Sequence, residues 1–135
     1  RASSRPGSRV PLHGSGVGKA LLSTMPERDI SRILHKHGLR RLTPNTIVSP
    51  AELRVALAEV RENGYGFDNE EHSFGVRCVA APIFDERGEA VAAISVLGPT
   101  ARISDERIAD LGGRVRRAAR LVTAELGGHS ASFAG

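Results

Sequence analysis

Two segments of this chain carry side chains from which chemistry could be built. The first is His13-Gly14-Ser15-Gly16-Val17-Gly18-Lys19-Ala20. A phosphate-binding loop needs a glycine five residues before its Gly-Lys pair and a Ser or Thr directly after it. Those positions hold His13 and Ala20, and a dinucleotide fingerprint needs glycine where Lys19 stands, so both nucleotide motifs fail. The glycines do permit a sharp turn into a helix, whose first N–H groups and dipole attract a small anion such as a carboxylate. Close packing of a helix on a sheet would use the same glycines, and spacing alone leaves the two uses equal.

The second segment is Asp68-Asn69-Glu70-Glu71-His72-Ser73-Phe74-Gly75-Val76-Arg77-Cys78. Three acids and a histidine raise the question of a metal. The spacing matches no structural zinc site, and one cysteine is too few. The segment therefore reads as an exposed acidic loop, except for Asp68, which ends a strand and can face inward. Cys78 lies in an apolar strand, where a buried thiol acts as a small hydrophobe. A nucleophilic thiol would need a histidine or a helix N-terminus to lower its pKa; His72 and His13 are partners only by their presence. Ser95, on the following strand, has either backbone or a ligand to satisfy it. His35 and His37 are two apart on a helix and cannot share a metal. No metal, no cofactor and no catalytic residue is expected.

These groups need elements to hold them. The glycine-rich start leads into a short helix carrying Val17, Ala20, Leu21 and Leu22, stopped before Pro26. Pro26 opens a second helix with Ile30, Ile33 and Leu34 on its buried stripe, ended by Gly38 in a left-handed cap. Ser49, Pro50 and Glu52 form the start of a third, with Leu53, Ala56, Leu57 and Val60 on one face and Gly64 at its end. The period then changes. Tyr65–Asp68, Val76–Phe84 and Ala90–Leu97 read as strands, with Asp85 to Gly88 as a hairpin turn. The last strand is nearly all apolar from Val91 to Val96, so both of its faces should be covered. Ser104 caps a final helix whose buried side is read as Ile108, Leu111, Val115, Ala118, Val122 and Leu126, closed by Gly127. The sum is α+β, helices on an antiparallel sheet. Three strands make a thin sheet, which points to strands missing upstream.

The 135 residues fit one domain, taken as residues 1–127, with Arg1 to Arg9 extended and residues 128–135 a disordered tail. With 4% aromatics and no Trp, the core must come from Leu, Ile, Val and Ala. The net charge of +4 raises the possibility of nucleic acid. The arginines are interleaved with acids, however, and their densest group, Arg114, Arg116, Arg117 and Arg120, spreads around a helix. That suits a solvated face or a subunit contact. One cysteine allows no intrachain disulfide, and no apolar run reaches the roughly 18 residues of a membrane span. A cytoplasmic location is expected, with no membrane partner.

Taken together, the segments resemble the effector-binding domain of the IclR family of bacterial transcription regulators. The resemblance rests on Leu12 to Ala20, Leu42-Thr43-Pro44-Asn45-Thr46-Ile47, Gly64 to His72, Gly75 to Ile83 and Ala93 to Pro99, in order and without an evident gap from Pro11 to Leu126. Glu70-Glu71-His72 and Arg77-Cys78 are most like the members that answer to glyoxylate and pyruvate-like acids. The resemblance implies a GAF-like fold, a curved antiparallel sheet flanked by helices that holds a small organic acid in its hollow. It implies that backbone N–H groups of Gly16 and Val17 grip the carboxylate, and that Asp68, Cys78 and Ser95 meet its other oxygens. Leu97 departs from the pattern, since glyoxylate-binding members carry a second serine there; the effector then differs or binds more weakly. It also implies a homodimer or homotetramer, and DNA contact only through a winged helix-turn-helix domain absent from this chain, together with the first helix and strands of the effector domain. The alternatives are an oligomerisation or interaction module whose pocket Leu97 fills, and a thiol enzyme using Cys78.

Overall fold

Ser15 turns the chain into its first helix. Its Oγ accepts the Gly18 N–H at 2.9 Å and starts α1 (Gly16–Leu22). In the computed structural model, which describes residues 12–130, three more helices and three strands follow. The extended reading of Arg1 to Arg9 and the last five tail residues lie outside the described residues. Pro26 stands one position earlier than expected, as the N-cap of α2 (Glu27–His37), and Gly38 follows with φ 70°. Ser49 Oγ accepts the Glu52 N–H at the start of α3 (Pro50–Asn63), and Gly64 ends it with φ 82°, in the left-handed conformation that glycine adopts without strain.

The strands are β1 (Gly66–Asn69), β2 (Val76–Phe84) and β3 (Ala90–Pro99), antiparallel in the order β1-β2-β3. A short 3₁₀ turn, Asp105–Arg107, leads into α4 (Ile108–Glu125). Helices cover both faces of the sheet. On one face, Val79, Ala81 and Ile83 of β2 pack with Leu111, Val115 and Ala119 of α4. On the other, Cys78 and Ala80 pack with Ala20 of α1. Beyond α1 a second core joins Leu22 to Ile30, Leu53 and Leu57. The expected α+β class is what the structure has.

Two expectations are corrected. β3 is not covered on both faces: Val91, Val96 and Leu97 are exposed. Among the described residues β3 pairs only with β2, so it is the edge of the sheet, and α4 packs chiefly on β2. The buried side of α4 also differs. Ile108, Leu111 and Val115 do face the core, but it continues through Ala119 and Thr123 in place of Ala118, Val122 and Leu126. The reason is polar. The Phe84 N–H at the end of β2 needs a buried acceptor, and Thr123 Oγ1 supplies one at 3.1 Å. Holding Thr123 there turns Leu121, Val122 and Leu126 into water. Past α4 the chain stays packed through His129, whose N–H donates to Asp85 O.

Candidate functional site

Antiparallel register decides which side chains share a face, because alternate residues point to opposite sides. Asp68 pairs with Cys78, and Cys78 with Leu97; one row along, Gly66 pairs with Ala80, and Ala80 with Ser95. These six positions lie on one face of the sheet. Phe67, Val79, Ala81 and Ile94 lie on the other, with α4. The strands thus bring Asp68, Cys78, Ser95 and Leu97 to the face on which α1 packs, where Asp68 and Cys78 are buried and Ser95 and Leu97 exposed.

The glycines of α1 set how closely it approaches. A Cβ on Gly16 would stand 2.9 Å from Cys78 Sγ. A Cβ on Gly18 would stand 2.2 Å from the Leu12 carbonyl oxygen. Neither site has room for a methyl group. Close packing of helix on sheet is therefore one function of these glycines. It also brings the start of α1 directly over the thiol. Gly16 and Val17 are the first two residues of α1, so their N–H groups precede any intrahelical acceptor, while that of Gly18 is taken by Ser15. Val17 packs against the cluster of Ala20, Cys78 and Ala80.

Two acids give this face its electrostatics, and the sequence reading missed one of them. Glu71 does not lie in an exposed loop. It is 6% exposed and forms an ion pair with Lys19, which is 4% exposed. Glu71 Oε2 also accepts the Asn69 N–H at 3.0 Å, and the Glu71 N–H donates to Asp68 Oδ1 at 2.7 Å. Thr43 and Thr46 donate to the carbonyls of Glu70 and Glu71, which draws the 68–75 segment in against the body of the fold. A signal was present in the sequence: Lys19 is a lone charge among the small and apolar residues of a short helix, and such a charge is buried only with a partner.

Burial pushes the Asp68 carboxyl up to about 6, against the lowering effect of the Glu71 N–H, with the Glu71 charge adding to the rise and Lys19 opposing it. Burial likewise pushes the Cys78 thiol up to about 11; the Asp68 charge adds to this, and a hydrogen bond with Ser95 and the charge of Lys19 oppose it. A thiol so placed stays protonated at neutral pH and is a poor nucleophile. His13 Nε2 contacts the Arg40 carbonyl and His72 Nδ1 the Ser73 hydroxyl, so neither serves Cys78 as a base in this arrangement. The polar groups gathered here are the N–H groups at the start of α1 and, on the strands, a carboxyl, a thiol and a hydroxyl. Leu97 is 47% exposed at the edge of this face. Among the described residues no group of three His, Cys, Asp or Glu side chains could hold a metal, and no helix is long and apolar enough to cross a membrane.

Comparison with known proteins agrees with this architecture. Residues 1–124 match the family model for the bacterial transcriptional regulator IclR C-terminal domain. Transcriptional repressor IclR of Escherichia coli (strain K12) is 47% identical over 128 residues, covering 95% of this chain and 47% of that protein. The crystal structure of the Thermotoga maritima IclR superposes with a TM-score of 0.88 at 35% identity, over 93% of this chain and 51% of that one. The inducer-binding domain of the Acinetobacter PobR transcription factor, a double mutant in complex with 3-hydroxybenzoic acid, superposes with a TM-score of 0.80 at 29% identity, over 91% of this chain and 74% of that one. The chain spans about half the length of the E. coli repressor it matches. It belongs to the IclR family of bacterial transcriptional regulators and corresponds to their C-terminal domain.

Proposed function

We propose that this chain senses a small carboxylic acid of the glyoxylate or pyruvate kind on behalf of a transcription regulator. The observation that carries the reading is the common face of Asp68, Cys78 and Ser95, with Gly16 directly over Cys78. The carboxylate takes the N–H groups of Gly16 and Val17, where the dipole of α1 favours negative charge. A neighbouring carbonyl or hydroxyl oxygen faces Asp68, Cys78 and Ser95. Burial raises the Asp68 carboxyl to about 6, so the protonated form, which can donate to that oxygen where a carboxylate could only accept, prevails below that pH. Support comes also from the PobR domain, whose described ligand is itself a carboxylic acid.

The regulator works by linkage. An acid that binds one arrangement of a homodimer or homotetramer more tightly shifts the population toward it. The winged helix-turn-helix domains outside this chain then gain or lose operator DNA, in the cytoplasm. Calorimetric titration of glyoxylate and pyruvate into the intact regulator tests this, with Ser95→Ala as the comparison. Binding weakened by the substitution is expected. Absence of heat and of thermal stabilisation with both acids would overturn the glyoxylate–pyruvate reading.

A further inference from the structure

Beyond α1, next to the second core, the fold holds a hollow that the acid-sensing face does not use. Ala20 of α1 packs on Cys78 and Ala80, whereas Leu22 joins Ile30, Leu53 and Leu57. The hollow has a volume of about 600 Å³ and is lined by Leu12, Leu22, Ile33, Leu34 and Leu42. The rest of its wall is Gly38 and four basic side chains, His13, His37, Arg40 and His72, with no acid among them. β3 contributes nothing to it, and it shares no residue with the face that carries Asp68, Cys78 and Ser95.

The lining divides by chemistry. Its five apolar residues are all aliphatic, so they suit an alkyl chain and offer no ring for an aromatic one to stack on. The basic groups give the rim its charge. His37 and Arg40 are exposed on either side of Gly38, whose φ of 70° turns the chain out of α2. The buried His13 ring holds the Arg40 carbonyl from within at 2.8 Å. Among the described residues, neither the Arg40 guanidinium nor the His37 ring has a hydrogen-bond or ion-pair partner. Helix α2 fully buries only Ile30; Ile33 and Leu34 are half-buried and turn part of their surface to the hollow.

We propose that this hollow is a second ligand site, for a medium-chain aliphatic carboxylic acid. Its alkyl chain lies among Leu12, Leu22, Ile33, Leu34 and Leu42, and its carboxylate takes donors from Arg40 and His37. Covering Ile33 and Leu34 holds α2 more firmly against α1, so the bound acid stabilises the fold.

The test is calorimetric titration of the intact regulator with octanoate, hexanoate, octanol and octylamine, with thermal melts alongside. The proteins are the parent, Arg40→Gln, His37→Gln and Ser95→Ala. Octanoate is expected to raise the melting temperature and to bind about tenfold more tightly than hexanoate, which is two methylenes shorter. Octanol and octylamine should bind more weakly than octanoate, since neither carries a negative charge. Arg40→Gln should weaken octanoate about tenfold, and His37→Gln should weaken it as well. Both side chains are exposed, so these two variants should fold as the parent does. Equal affinity for octanoate and octanol, one octanoate affinity in the parent and both rim variants, or no binding of octanoate would overturn the site. Octanoate binding that responds to Ser95→Ala and not to Arg40→Gln would place the acid on the sheet face, and would overturn it too.

Discussion

Lys19 Nζ lies 2.9 and 3.1 Å from the two carboxylate oxygens of Glu71, and both side chains are almost wholly buried. This contact ties α1 to the segment between β1 and β2. Removing one partner leaves an uncompensated buried charge. Lys19→Met or Glu71→Gln is therefore expected to cost about 3–5 kcal/mol. The double variant should recover part of that loss, since the amide oxygen of a glutamine at 71 can still accept the Asn69 N–H. Urea unfolding of the two single variants and the double variant measures the coupling; strictly additive losses would count against an interaction.

Asp68 makes stability depend on pH. Its carboxyl is raised from 3.8 to about 6, so between those values the native chain keeps a proton that the unfolded chain has lost. Its contribution is therefore fully present below about pH 4 and declines as pH rises through about 6, by about 2–3 kcal/mol in all. Asp68→Asn keeps an acceptor for the Glu71 N–H and removes the charge. The variant should match its parent near pH 4 and exceed it in urea midpoint at pH 7.5. Parallel midpoints across this range would contradict the assignment.

Gly16 and Cys78 should be coupled. A methyl group at Gly16 would lie 2.9 Å from the sulfur, so Gly16→Ala forces α1 off the sheet at a cost of about 1–3 kcal/mol. Shortening the opposing side chain makes room. Gly16→Ala is expected to be better tolerated in a Cys78→Ala background, and thermal melts of the four proteins read the difference.

The thiol itself should be slow to react. With its pKa pushed up to about 11, Cys78 holds little thiolate at neutral pH, and it is nearly inaccessible besides. Labelling by a disulfide reagent should rise with pH without a plateau below about 9.5, in contrast to an ordinary thiol of pKa about 8.5. An early plateau would revive the enzyme reading.

Thr46 is a smaller anchor with a measurable effect. Its Oγ1 accepts the N–H groups of Leu42 and Thr43 at 3.0 and 2.8 Å and donates to the Glu71 carbonyl at 2.7 Å. Thr46→Val keeps the shape and strands these buried groups, at a cost of about 1–3 kcal/mol. Loss of amide-exchange protection at Thr43 should accompany it.

Much of this was legible in the residues themselves. Caps and glycines bounded the helices, and the family resemblance grouped Asp68, Cys78 and Ser95, which the β1–β2 and β2–β3 pairings bring to one face. The misreadings share a physical cause. Glu71 and Lys19 look solvated one at a time, since a charge is buried only because of a partner 52 positions away, which local pattern does not reveal. Likewise the α4 stripe followed apolarity at Val122 and Leu126, while the position facing inward was Thr123, whose Oγ1 accepts the N–H of Phe84. The apolar run of β3 spoke of burial, but whether a strand is central or at the edge depends on its neighbours.

Along β2, even-numbered residues from Cys78 to Ala80 look toward α1, and odd-numbered ones from Val79 to Ile83 look toward α4. This makes the strand sensitive to parity. One inserted or deleted residue ahead of Cys78 would exchange the two sets, sending a thiol into the α4 packing and a valine beneath the glycines. Changes of length in related chains are therefore expected in steps of two within this strand, or in the Asp85–Gly88 turn, where they leave both surfaces as they are.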